Sequence, residues 1–132
     1  MFLETSAVVE ILTDGPQSLD LLRRIHASRE AKFTGPTVIY EATVVLSGKR
    51  NLEVGNAERL VRALLTTMNV SVIDIDDRSA SLAIDAFARY GKGRHPAKLN
   101  FGDCFSYAGA KSRDMPLLYV GNDFSMTDLA AT

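Results

Sequence analysis

The sequence has little of the chemistry on which many functional sites depend. It contains one cysteine, Cys104, and two histidines, His26 and His95, among 132 residues. One cysteine excludes an internal disulfide and any metal site built on several thiolates, and two histidines are few for a zinc site. Because a chain without disulfides fits a reducing compartment, we expect a cytoplasmic protein.

Long apolar runs and an excess of one charge are also missing. No stretch approaches the ~20 apolar residues of a membrane-spanning helix, so we expect no membrane association. Residues 1–6 include an acid and lack a basic start before an apolar run, which argues against a signal peptide. The formal net charge of −1 gives no general attraction for polyanions. Binding of nucleic acid would therefore need a local patch or a bound metal.

The residues that are present alternate between strand and helix patterns. Apolar residues make up 46% of the chain, enough for a core, and the length predicts one domain over residues 1–132. We expect strands at residues 1–3, 32–35, 70–75 and 117–120, and helices at 7–12, 17–29, 36–48, 57–68, 76–90 and 101–112. This order predicts an α/β fold with a central, mostly parallel sheet covered by helices on both faces.

Several local features have a structural interpretation. Thr5 and Ser6 are suited to cap the first helix, and Asn100 the last. His26 falls on the apolar side of its helix pattern and is expected to be a structural histidine. Cys104 is expected to be a small core residue. The chain after residue 123 is expected to be a short polar tail.

Four acids are candidates for chemistry because ligands of open α/β sheets bind beyond the carboxyl ends of the strands. Glu4 directly follows the first strand, and Asp123 follows the last one through a glycine turn. Glu41 and Asp103 each lie ~40° outside the apolar stripe of a helix, at the boundary of the core.

Each acid also has an ordinary explanation. Asp103 complements a helix dipole and can pair with Asn100 in a cap, Glu41 can be solvated, and Asp123 suits a turn. Glu4 is harder to explain, since burying an unpaired carboxylate is costly. Acids gathered in one place would need a cation. Magnesium prefers oxygen ligands, and phosphodiester cleavage uses such a metal.

Four stretches carry a resemblance to a known family. They are residues 1–7 (MFLETSA), 36–42 (PTVIYEA), 90–105 (YGKGRHPAKLNFGDCF) and 117–124 (LLYVGNDF). In this order they resemble the PIN-domain ribonucleases, in particular the VapC-type toxins of bacterial toxin–antitoxin pairs. The resemblance covers essentially the whole chain, and the stretch through Asp103 is its most specific part.

The resemblance implies a PIN-like three-layer fold and a magnesium-dependent endoribonuclease, in which manganese can replace magnesium. The catalytic acids and metal ligands would be Glu4, Glu41, Asp103 and Asp123. The implied partners are an RNA substrate, a protein antitoxin and a second copy of the chain. We expect the homodimer to form through helices that include residues 38–46.

Two departures from the family pattern bear on the site. The family usually has aspartate where this chain has Glu4, so the extra methylene either weakens the site, by nature or by design, or is matched elsewhere in it. Many relatives place the fourth acid where this chain has Gly121, so Asp123, alone or with Asn122, would have to serve. Ser6 could hold a water molecule at the metal, although capping is its simpler role.

The loop at residues 91–96 is basic, with Lys92, Arg94 and His95, and Lys98 follows directly after it. These side chains could clamp RNA phosphates beside the acids, or they could form an ordinary solvated loop. A signalling receiver domain would need an acidic pair after the first strand and a late strand-end lysine, which this sequence lacks. A catalytically weakened PIN domain that mainly binds antitoxin or RNA is the alternative.

Overall fold

The computed structural model describes residues 1–130, in which strands and helices alternate as the sequence predicts. The strands are β1 (Phe2–Leu3), β2 (Lys32–Thr34), β3 (Val70–Val72) and β4 (Leu117–Leu118). The helices are α1 (Thr5–Leu12), α2 (Ser18–Ala27), α3 (Pro36–Lys49), α4 (Val54–Thr67), α5 (Asp77–Tyr90) and α6 (Phe101–Ser112). Each strand is therefore followed or preceded by a helical connection, and none is joined to the next by a hairpin.

The four strands form one parallel sheet in the order β3-β2-β1-β4. Phe2 of β1 pairs with Phe33 on one side and with Leu117 on the other. Strand β1 is thus central, and both of its residues are buried, as expected for a short apolar strand covered on both faces. The predicted α/β fold with a mostly parallel sheet is confirmed.

Two groups of helices cover the sheet. Helices α1 to α4 lie in the connections from β1 to β2 and from β2 to β3, and they pack against one another. Helices α5 and α6 lie in the connection from β3 to β4, which runs back across the sheet, and they pack together. Because such crossovers are right-handed, reversing the direction places the second group on the opposite face. The result is the expected three-layer arrangement.

The core confirms most of the predicted helix faces. On α3, the side chains of Val38, Ile39, Ala42 and Leu46 are buried, whereas the neighbouring Val45 is 38% exposed. Helix α6 lies so close to β1 that a Cβ at Gly109 would overlap the ring of Phe2. A small residue at this position is what allows the close packing of helix and sheet.

Strands β3 and β4 are shorter than expected because the strands beside them, β2 and β1, end first. Strand β2 stops at Thr34, whose carbonyl accepts a last hydrogen bond from the Ile73 amide at 2.9 Å, so residues 74 and 75 have no strand to pair with. Strand β4 stops at Leu118. The amide of Val120 donates to the Ser6 hydroxyl at 2.8 Å instead of to a strand.

Three local predictions were wrong. Glu4, rather than Thr5 or Ser6, caps α1 with its side chain. His26 is exposed, because α2 buries only a narrow stripe that includes Leu21 and Ile25. The segment after residue 123 is not simply polar, since Phe124 and Thr127 are buried.

Cys104 is buried, as predicted for a small core residue, and burial raises the pKa of its thiol to about 11. None of the helices within residues 1–130 is both long and apolar enough to cross a membrane.

Candidate functional site

The strand order creates one crevice at the carboxyl edge of the sheet. The chain proceeds from β1 to β2 and β3 in one direction and then returns to place β4 on the other side of β1. Connections leave in opposite directions from such a switch point, and this is where ligands bind in open α/β sheets. Glu4 follows β1 here, and the turn containing Gly121 and Asp123 follows β4.

Glu4 lies at the bottom of this crevice and is 4% exposed. Its Oε2 accepts a hydrogen bond from the Ser6 amide at 2.8 Å and a second from the Ser6 hydroxyl. The Ser6 hydroxyl oxygen in turn accepts from the Val120 amide. Ser6 therefore joins the ends of β1 and β4 and orients the Glu4 carboxylate, a role that differs from the predicted helix cap.

Glu41 reaches the same region from α3. Its Oε1 accepts a hydrogen bond from the Thr5 hydroxyl at 3.0 Å. Its carboxylate lies against Gly102 in the first turn of α6, so closely that a Cβ at that position would overlap it. The amino-terminal end of a helix carries a partial positive charge, which favours a carboxylate there.

Asp103 is fixed by the capping box at the start of α6. Its Oδ2 accepts from the Asn100 amide at 3.0 Å, and the Asn100 side-chain oxygen accepts from the Asp103 amide at 2.9 Å. Asp103 thus fulfils its ordinary structural interpretation. It is 8% exposed and so lies deeper than the boundary position that the helix pattern predicts.

The four acids influence one another electrostatically. Burial raises the pKa of Glu4 to about 7, and the charges of Asp103 and Glu41 add to this effect. Burial also raises the pKa of Asp103 to about 6, with further contributions from Asp123 and Glu41. Negative charge at this edge of the sheet is therefore unfavourable by itself, as expected where carboxylates face one another without a cation.

The donor chemistry of the crevice fits a hard divalent cation, because all four acids offer carboxylate oxygens. Within residues 1–130, no three acidic, histidine or cysteine side chains are already gathered as a compact metal cage. Glu4, Glu41 and Asp103 instead accept separate hydrogen bonds, from Ser6, Thr5 and Asn100 respectively. A cation would have to draw the carboxylates together.

The turn after β4 contributes the most exposed of these acids. Gly121 has a φ of +96°, which glycine adopts readily, and this lets the chain reverse directly after the strand. Asn122 and Asp123 are both exposed. The backbone oxygen of Asn122 accepts hydrogen bonds from Ser125, so this residue shapes the turn. Asp123 is near enough to Asp103 to affect its pKa.

The basic loop leads directly into α6. It is closed at its base by a parallel bridge between Gly91 and Leu99. Lys92, Arg94 and Lys98 are exposed. His95 is half-buried: its Nδ1 accepts from the Ala97 amide at 3.0 Å, and its ring meets Tyr90 edge-on at 5.2 Å. Lys92 and Lys98 thus face solvent, and the exposed Arg94 guanidinium lies over the Phe87 ring at 5.5 Å, whereas His95 helps to hold the loop in shape.

Comparison with known proteins shows the family of the chain. Residues 1–129 match the PIN domain. The chain belongs to the PIN-domain family. A ribonuclease VapC of Mycolicibacterium smegmatis is 42% identical, over 99% of this chain and 98% of its own length. A VapC ribonuclease of Rhizobium meliloti is 37% identical, over 97% of this chain and 98% of its own length. The resemblance to VapC-type ribonucleases is therefore confirmed.

Solved structures show the same PIN fold. VapC20 of Mycobacterium tuberculosis, described as a toxin that cleaves the sarcin-ricin loop, superposes with a TM-score of 0.73 at 18% identity, over 94% of this chain and 92% of its own. A toxin–antitoxin complex from Klebsiella pneumoniae gives a TM-score of 0.71 at 17% identity, over 99% of this chain and 95% of its own. At these identities the likeness concerns the fold alone.

Two residues of this PIN domain have positions that the sequence did not reveal. Threonine at position 5 suggested a helix cap. Its hydroxyl instead donates a hydrogen bond to Glu41, 36 residues away in the sequence. Gly102 offered no signal beyond lying beside Asp103, yet its missing side chain leaves room for the Glu41 carboxylate. Both depend on the approach of α3 to α1 and α6, which no local pattern encodes.

Proposed function

We propose that this PIN domain is a divalent-metal-dependent endoribonuclease that acts as the toxin of a toxin–antitoxin pair. The proposal is supported by the placement of Glu4, Glu41, Asp103 and Asp123 near enough to one another, at the carboxyl edge of the sheet, for their charges to interact, and by burial, which raises the pKa of Glu4 and of Asp103. A site with this much uncompensated carboxylate is suited to magnesium, with manganese as a substitute. The ribonuclease relatives supply the reaction class.

Each acid has a distinct part in this proposal. Glu4, Glu41, Asp103 and Asp123 hold the cation. A cation bound there neutralises charge on the scissile phosphate and lowers the pKa of water. Ser6 keeps the Glu4 carboxylate turned into the crevice, and Thr5 does the same for Glu41. The capping box with Asn100 fixes Asp103. Rigid placement of the acids matters because productive constellations tolerate only ~0.5 Å of error.

The exposed cations of the basic loop provide the attraction for RNA that the net charge does not. Lys92, Arg94 and Lys98 stand on the segment that enters α6 at Asn100. We assign them to the phosphates on one side of the acidic crevice, where each contact would make binding weaker as salt increases. His95 supports them by holding the loop.

A nuclease of this kind needs an inhibitor in its host, and the structure offers a surface for one. A groove of about 640 Å³ lies between α5 and α6, with Ile84, Phe87 and Phe105 among its lining residues. We propose that an apolar segment of a protein antitoxin binds this groove and brings an arginine to the acids, since a guanidinium matches carboxylates in geometry and charge. With RNA and antitoxin as partners, the protein is expected to act in the cytoplasm.

The proposed homodimer must use different side chains of α3 from those that the sequence suggested. Val38, Ala42 and Leu46 are buried in the chain's own core. Within residues 38–46, Val44 is 48% exposed and Val45 38%. Tyr40, one turn before Val44 on α3, is 72% exposed. We therefore place the contact between copies at Val44 and Val45, on the carboxyl-terminal side of Tyr40, and leave Tyr40 outside it.

The test compares cleavage of a short RNA by the purified protein and two variants while magnesium or manganese is titrated. Asp103→Asn should abolish metal-dependent cleavage, because it removes a ligand while an asparagine oxygen can still accept the Asn100 hydrogen bond. Asp20→Asn, an exposed aspartate on α2, is the matched control and should cleave normally. Full activity of folded Asp103→Asn, or cleavage that persists in a chelator, would exclude the proposal.

A further inference from the structure

Two exposed aromatic side chains line a cavity beside Glu41. Tyr40 on α3 is 72% exposed, and Phe101, the first residue of α6, is 76% exposed. Both line a cavity of about 560 Å³ whose other lining residues include Glu41, Asn100 and Gly102. Single exposed aromatics are common on protein surfaces. Two that share one cavity with a candidate metal ligand indicate a binding surface.

This cavity continues into a positively charged margin. Asn100 and Phe101 line both the cavity and the neighbouring groove between α5 and α6, and Lys92 of the basic loop lines that groove as well. Phe101 also packs against Phe105, with ring centroids 5.0 Å apart, which steadies an otherwise exposed ring. A cation, two aromatic faces and a carboxylate therefore follow one another across a single surface.

Unpaired RNA has chemical groups that complement the cation and the aromatic rings of this surface. Its phosphates bind cations. Its bases have planar faces, and any of the four bases can stack on an aromatic side chain. A base-paired duplex matches poorly, since its bases already stack on each other and are not available to side chains. A protein antitoxin could also contact Phe101, which lines the neighbouring groove, but Tyr40 does not line that groove. The two rings together therefore favour RNA.

We propose that Tyr40 and Phe101 form a stacking platform for unpaired bases next to the phosphodiester that is cut. This inference rests on the proposed function and deepens it, because it names the side chains that hold the bases of the RNA. Stacking on both rings would also draw the backbone between them toward Glu41.

The experiment measures binding in the Asp103→Asn background, so that RNA is not consumed. The probe is a fluorescein-labelled, unstructured RNA of about ten nucleotides, within the usual site size, and binding is followed by fluorescence anisotropy. Tyr40→Ala and Phe101→Ala should each weaken binding about 5- to 100-fold, as loss of one stacked base does. Tyr40→Phe and Phe101→Trp keep a ring and should bind normally. Leu19→Ala, at an exposed leucine of α2, is the control and should have no effect.

A second set of probes separates stacking from other causes. With an oligonucleotide that carries abasic sites, the alanine variants and the parent should bind alike, because no base remains to stack. The duplex form of the same RNA should bind weakly and without dependence on either ring. Equal losses on the normal and abasic probes, or no loss on either, would overturn the proposal. So would unchanged RNA binding together with a changed sedimentation coefficient, which would assign the rings to a protein contact.

Failure of this inference can be told apart from failure of the proposed function. If the unmodified protein cleaves RNA but the alanine variants bind it normally, the stacking platform is wrong and the nuclease stands. If it cleaves no RNA in magnesium or manganese, yet the ring-dependent binding is observed, the nuclease is wrong and the platform stands.

Discussion

Gly102 has no room for a side chain because the Glu41 carboxylate lies against it, and its own backbone conformation does not require glycine. A methyl group there would overlap the Glu41 carboxylate, whereas a methyl group at Gly48 or Gly55, also in helices, would meet nothing. The atoms in the way belong to the far end of a flexible side chain, so the fold can yield at little cost while the carboxylate moves. The position therefore offers a means to disturb the site without disturbing the fold.

Gly102→Ala should lower metal-dependent cleavage at least ~10-fold, because a displacement of the order of 1 Å in such a site can cost ~100-fold. The free energy of unfolding should change by less than about 1 kcal/mol, since alanine is the better helix former. Cleavage rates and urea denaturation measure the two effects. Gly48→Ala should leave cleavage unchanged, and a Gly102→Ala protein with full activity would show that Glu41 need not occupy its present place.

The raised pKa values of Glu4 and Asp103 predict an unusual pH dependence of stability. In the folded chain these pKa values are about 7 and about 6, whereas in an unfolded chain both acids titrate near 4. The folded state thus holds these protons more tightly. Without metal, this contribution to stability is fully present below about pH 4 and is lost as the pH rises through 6 and 7.

In a chelator, the melting temperature should therefore rise by about 5 °C or more between pH 8 and pH 5.5. Asp76 and Asp128, whose pKa values are lowered, act in the opposite sense only at lower pH, outside this window. Magnesium should remove most of the rise by stabilising the ionised carboxylates. Calorimetry of Glu4→Gln provides the control. If that variant kept the full pH dependence, Glu4 would not be its source.

At the level of the elements, the sequence predicted the fold well and the placement of the candidate acids in part. The order of helices and strands follows from periodicity, and strand-end placement picked out Glu4 and Asp123. The lengths of β3 and β4 could not be predicted, because a strand extends only as far as its neighbour does. The contacts of Glu41 with Thr5 and Gly102 were equally hidden, since they arise from helices that approach one another far apart in sequence.

The segment after residue 123 shows the same limit of sequence patterns. Asp128 accepts hydrogen bonds from the Tyr107 hydroxyl at 2.8 Å and from the Lys111 ammonium at 2.6 Å. These contacts fix the segment to α6, beside the buried Phe124. No periodic pattern in the sequence predicts these contacts of Asp128, because single side chains make them rather than one face of a helix or strand.

Asp128→Ala should therefore lower the free energy of unfolding by about 1–2 kcal/mol, since it leaves the buried Tyr107 without a charged acceptor. The matched control is Asp85→Ala, which removes an exposed ion pair with Arg89 at 3.5 Å and should cost less than about 0.5 kcal/mol. Urea denaturation measures both, and limited proteolysis should cut the Asp128→Ala protein near its end. Equal stability of the two variants would show that the contacts of Asp128 with Tyr107 and Lys111 contribute little to stability.

For the whole molecule, the proposed dimer is open to a direct test. The unmodified chain should sediment as a dimer at tens of micromolar. Val44→Glu places a charge on the outward side of α3 and should shift the protein to monomer, because an unpaired charge within an apolar contact is strongly unfavourable. Leu19→Glu, at a similarly exposed apolar position, should remain dimeric. A monomer without any substitution would refute the dimer itself.

The hydrogen bond from the Val120 amide to the Ser6 hydroxyl joins residues that are 114 positions apart in the sequence. This sequence separation affects how the protein folds during its synthesis. Synthesis produces β1, β2 and β3 in order, yet the strand that completes the crevice comes last and must insert beside the first. Contacts so remote in sequence slow folding, because a long loop must close before they form. Until residue 120 leaves the ribosome, Ser6 lacks its partner Val120, which follows β4, and Asp123 has no place. A growing chain is therefore without a finished site until residues 117–123 have been made and have docked beside β1, which leaves time for an inhibitor to be present.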